Sequence, residues 1–109
     1  MTSELHTLSL TEIASAVQLG TVSATEVTRA YLARIERFDR ALGSYLHVDT
    51  DGALAQAAAV DAARARGESL GALAGVPIAL KDNLCARGMP TTCASRILAW
   101  SRRPFAFKA

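Results

Sequence analysis

The stretch whose reading decides the fold is Gly75-Val76-Pro77-Ile78-Ala79-Leu80-Lys81-Asp82-Asn83. Residues 76–80 form a continuous apolar run bounded by turn-formers, the pattern of a short strand buried on both faces rather than of a half-exposed one. Pro77 has no amide hydrogen, so it is confined to the start or edge of a ladder. Lys81 then emerges where that strand is expected to end. Asp82 beside it would point to the opposite face of a strand, so Asp82 and Asn83 read better as turn residues bonding the nearby backbone. An ammonium at such a place has two uses. It reaches water on its flexible stem, or it is partly desolvated, loses basicity and serves as a general base.

Upstream the sequence is helical. Ser9 is followed three residues later by Glu12, and Ser23 by Glu26, the spacing of a capping box in which each side chain satisfies an unpaired donor at a helix start. Gly20 is expected to end the first helix. In the second, Val27, Ala30, Tyr31, Ile35 and Phe38 recur at helical period, with Arg29, Arg34, Glu36 and Arg37 over the rest. These two helices should pack on each other or on a further element. Tyr45 to Val48 is short, β-prone and bounded by aspartates, which predicts a strand. Residues 51–67 read as a third helix, rich in alanine and closed by Gly67; its small side chains need a substantial partner surface. A short helix is expected again over 93–100. Helices before and after strands give an α/β design, in which sites are built at strand ends.

Composition narrows the classes. With 109 residues the chain holds one core at most, and with 50% hydrophobic and 20% charged residues it is of the globular rather than the disordered kind. The net charge of +2 comes from 12 basic and 10 acidic residues mixed along the chain, so no broad electropositive surface for nucleic acid is expected. Only the end is locally basic, with Arg102, Arg103 and Lys108. No apolar run reaches the roughly 18 residues of a membrane span, and the first ten residues lack the basic start of a signal peptide, so a cytoplasmic location is expected. Cys85 and Cys93 are too far apart for a redox pair and have no histidine beside them; reduced, partly buried thiols are the reading. His6 and His47 stand alone, and no metal is assigned.

Residues 70–98, from "LGALAGVPIALKDN" through "GMPTTCASRIL", resemble the start of the amidase signature family. The likeness extends upstream through the helices to about residue 5, and the "TTCAS" form favours the branch of glutamyl-tRNA(Gln) amidotransferase A subunits. The resemblance implies the N-terminal part of the amidase-signature fold, helices leading into a mixed sheet core. It also implies a serine, cis-serine, lysine triad with Lys81 as its base, a neutral lysine taking a proton through the bridging serine while the nucleophilic serine attacks the amide of glutamine. By the same likeness the released ammonia passes to a B subunit, where Glu-tRNA(Gln) is activated with ATP and magnesium and amidated. A small C subunit holds that assembly, and tRNA meets the chain only through the complex. No cofactor is expected on the chain itself.

Both triad serines lie in a glycine- and serine-rich signature in the family, and no such stretch occurs here. Ser95 reads as capping or turn-forming. A lysine base without its nucleophile does not run acyl transfer, so the chain is expected to be an inactive, truncated piece whose apolar faces favour aggregation. The expected organisation is an amidase-signature segment over 1–99 and a divergent tail over 100–109. Codons for Trp100 to Arg103 in a GC-rich gene, read one base earlier, encode an apolar residue and then glutamate and two prolines, close to the family's continuation; a frameshift is the hypothesis for that tail. Two other readings are a hydrolase of a different carboxamide and a non-catalytic protein that binds a partner through its helices.

Overall fold

Ser9 and Ser23 begin the first two helices through reciprocal bonds. In the computed structural model, which describes residues 2–84, 86–87, 92–93 and 95–97, the Ser9 hydroxyl accepts from the Glu12 amide at 3.2 Å while the Ser9 amide donates to the Glu12 carboxylate at 3.4 Å. The Ser23 and Glu26 pair repeats this at 3.0 and 3.2 Å. Helix α1 runs Leu10–Leu19 and α2 runs Ala24–Leu42. Each stops at a glycine in the left-handed conformation, Gly20 at φ 75° and Gly43 at φ 63°. A 3-10 helix, Thr2–Thr7, precedes them, and α3 spans Thr50–Ala65.

The chain divides into two units, one made of Met1–Ser44 with Thr50–Pro77 and the other of Tyr45–Asp49 with Ile78–Ala109. In the first, Leu5, Ile13, Val17, Ala24, Val27 and Ala57 form the core, with Tyr31, Val60 and Val76 among the half-buried residues against it. Helix α2 packs on α3 and on the 3-10 helix. The alanine-rich α3 thus finds its partner in α2, burying Ala57 and seating Val60. The apolar stripe of α2 loses cover along its length: Val27 is fully buried, Ile35 half-buried, and Phe38 exposed.

A second cap ties α3 to α2. The Asp61 carboxylate accepts the Ala24 amide at 2.7 Å, the Thr25 amide at 3.0 Å and the Thr25 hydroxyl at 2.6 Å. It thereby meets the free donors and the positive dipole end of α2 at once. Burial pushes the Asp61 carboxyl up, but the Thr25 hydroxyl, the two amides and the Arg64 charge outweigh it and hold the group below its ordinary 3.8.

The two expected strands are corrected. Residues 45–48 and 76–80 have no strand structure, and none occurs among the described residues. A strand's backbone groups are satisfied by a neighbouring strand, and the described residues offer no ladder to either segment. Tyr45 and Leu46 are exposed, as are Ile78 and Leu80; Val76 alone of the apolar run packs on the core, its amide donating to Leu73 at 3.1 Å. The architecture described is therefore helical rather than α/β. No described helix is long and apolar enough to cross a membrane. Of the helix expected over 93–100, Arg96 and Ile97 are helical, while residues 94 and 98–100 lie outside the described residues, as does the whole tail 101–109.

Candidate functional site

Lys81 opens a turn. Its carbonyl accepts the Leu84 amide at 2.9 Å, with Asp82 and Asn83 at the two central positions that their short polar side chains favour. The Lys81 side chain is exposed to solvent. The expectation of a lysine at the end of a buried strand is corrected accordingly: it projects from a turn.

Asp82 does more than shape that turn. Its carboxylate accepts the Thr92 amide at 2.9 Å and also the Thr92 hydroxyl, and its carbonyl accepts the Cys93 amide at 3.2 Å. Three bonds thus close the loop between Asp82 and Thr92 at its base. Thr92 is further engaged through its carbonyl, which accepts the Ser95 amide at 2.7 Å. Cys93 sits at φ 47°, a left-handed conformation that costs a non-glycine residue about 1 kcal/mol or more. Such backbone is kept only where surrounding bonds demand it, and here the Cys93 amide is held by Asp82. The anchoring fixes the backbone on which Lys81 stands and leaves its side chain in solvent.

Besides standing in its own turn, Asp82 reaches a partner ten residues away, which its reading as a turn residue does not foresee. Sequence reasoning misses Thr92, and no fixed spacing rule finds it; the only signal is a carboxylate in one turn and a hydroxyl-bearing pair, Thr91 and Thr92, further along the chain. Ser95 is turn-forming as expected. Cys93 is a free, exposed thiol, which corrects the expectation of partial burial; Cys85 lies outside the described residues. Gly88 to Thr91 of the motif also lie outside them. Among the described residues no three His, Cys, Asp or Glu side chains gather to hold a metal ion.

Comparison with known proteins places this loop in context. Residues 26–106 match the family profile described as Amidase. The chain is 55% identical over 102 residues to the A subunit of the glutamyl-tRNA(Gln) amidotransferase of Salinispora arenicola, covering 94% of this chain and 21% of that protein. It is 53% identical over 96 residues to the same subunit of Streptomyces coelicolor, covering 88% and 19%. The corresponding subunit of Chloroflexus aurantiacus is 47% identical over 102 residues, 94% and 21%. The chain therefore spans about a fifth of the length of these relatives. No solved structure matches it. A profile match over most of the chain, with the lysine loop inside it, assigns the sequence: it belongs to the amidase family.

Proposed function

We propose that this chain supplies the lysine base of a glutamine-hydrolysing amidotransferase A subunit, with Lys81 as that base. The observation that carries the proposal is the anchored loop: Asp82 and Thr92 fix the backbone beside Lys81 while the lysine side chain stays uncovered. A general base needs a defined position and a pKa near the working pH. The loop supplies the first. Acting as the base also takes contact with the two serines of a serine, cis-serine, lysine triad, which relay the proton to the lysine.

In this reading Lys81, neutral, draws a proton through the bridging serine. The nucleophilic serine attacks the glutamine carboxamide to give a tetrahedral intermediate; the proton taken up by Lys81 is passed to the amide nitrogen, the C–N bond breaks, ammonia leaves, and water hydrolyses the remaining acyl-enzyme to glutamate. Neither serine is carried in a glycine- and serine-rich stretch of these residues, so the chain by itself binds no acyl group. Relatives named as A subunits of glutamyl-tRNA(Gln) amidotransferase support a place as part of such a subunit, working in the cytoplasm beside B and C subunits. There the ammonia converts Glu-tRNA(Gln) to Gln-tRNA(Gln), and the ATP- and magnesium-dependent activation belongs to the partner.

Two assays test this. The 109-residue chain incubated with glutamine releases no ammonia above its Lys81→Ala control. Residues 1–97, spliced into the Streptomyces coelicolor A subunit in place of the matching segment, give a protein that with B and C subunits forms Gln-tRNA(Gln). Lysine-dependent ammonia release by the short chain contradicts the first part. A spliced protein that folds and hydrolyses other carboxamides but not glutamine contradicts the second.

A further inference from the structure

A groove of about 460 Å³ runs between the 3-10 helix and α2, lined by His6 and by one stripe of α2. Ala30, Ala33, Arg34, Arg37 and Phe38 fall on that stripe because residues three and four apart share a helix face. With Arg29 the stripe carries three guanidinium groups against a single carboxylate, Glu26, whose oxygen is already engaged by the Ser23 amide at 3.2 Å. None of the three arginines is ion-paired among the described residues. An excess of guanidinium groups over carboxylates on one face favours an incoming acid, and carboxylates accept from guanidinium in the paired geometry that arginine offers.

We propose that this groove docks an acidic, amphipathic segment of a partner protein. Ala30 and Ala33 with the exposed ring of Phe38 make an apolar floor, and the arginines make its cationic rim. That is the complement of a segment with apolar residues on one side and carboxylates flanking them. A phosphate backbone would meet the rim but leave the floor uncovered. The Arg34 and Arg37 guanidinium carbons stand 5.1 and 5.0 Å from the Phe38 ring centroid, so the cationic rim and the apolar floor meet at Phe38. From Arg29 to Arg37 the face runs about 12 Å along the helix at 1.5 Å per residue, room for about two turns of a docked helix. The docking surface is a property of α2 and does not rest on the role given to Lys81.

The test uses the full 109-residue chain and a fluorescein-labelled amphipathic peptide with leucines at helical spacing and glutamates flanking them. A second peptide has glutamine at every glutamate position, and a labelled oligothymidylate matches the first in charge. Fluorescence anisotropy is expected to show saturable binding of the acidic peptide that weakens with added salt. Binding weakens at least about tenfold for the glutamine peptide and for the Arg34→Gln/Arg37→Gln variant, as loss of close charge pairs requires, and is unchanged in Arg66→Gln. Circular dichroism checks that each variant keeps its helices. Absence of saturable binding, equal binding by the folded double variant, or tighter binding of the oligothymidylate overturns the proposal.

Discussion

Gly75 lies directly against Val17. A Cβ built on Gly75 would stand 2.8 Å from both methyl carbons of Val17, which is itself fully buried, and the Gly75 backbone has φ 83°. The first residue of the Gly75–Asn83 stretch is therefore fixed by a distant helix, α1, and for a packing reason rather than a catalytic one. Gly75→Ala combines left-handed strain with overpacking of a buried valine, and is expected to destabilise the chain by about 2–4 kcal/mol. Gly67→Ala, at φ 75° with nothing within 4 Å, carries only the strain and should cost about 1 kcal/mol. Urea titrations followed by circular dichroism measure both, and equal losses would show that Val17 does not press on Gly75.

Asp61→Asn removes the charge that caps α2 and is expected to cost about 1–2 kcal/mol. The bonds from Thr25 and Ala24 hold the Asp61 pKa below 3.8 in the folded chain. Its contribution is accordingly full above the unfolded value and is lost as pH falls through the lower folded one. Wild-type stability should thus decline in acid below about pH 4, the ordinary aspartate range, more steeply than that of Asp61→Asn. Parallel pH profiles for the two proteins would show that Asp61 carries no such charge effect.

Thr92→Val deletes the hydroxyl that donates to Asp82 but keeps the shape and the amide. In the spliced A subunit described above, kcat for ammonia release is expected to fall on the order of 10²-fold, the usual penalty for a displaced catalytic group. KM should change little, and Thr92→Ser should restore the rate. A loss confined to KM would mean that the clamp serves substrate binding and not the placement of Lys81.

What was legible in the sequence was local. Ser9 with Glu12, Ser23 with Glu26, and the glycine at 20 set helix ends through bonds between residues three to five apart, and spacing rules capture such bonds. The strand expected over 76–80 failed because a ladder is a bond to another segment, and an apolar run does not say whether that segment is present. Asp61 at the start of α2 and Thr92 on Asp82 were missed for a related reason: they are partners across 37 and 10 positions, and nothing in either neighbourhood encodes the other. Phe38 falls on the packed face by period alone; the structure leaves it exposed beneath two arginines because α2 outruns the elements that cover it.

The central claim is that Lys81 is a catalytic base held in place by its loop. The measurement that meets it most directly is the rate of ammonia release from glutamine by the spliced A subunit, with Lys81 intact and as its Lys81→Ala variant, folding of both being confirmed by circular dichroism. A lysine in that role predicts a fall in kcat of roughly 10²–10⁴-fold, the range for loss of a general base, with glutamine KM nearly unchanged. A folded Lys81→Ala protein that keeps its kcat would contradict it.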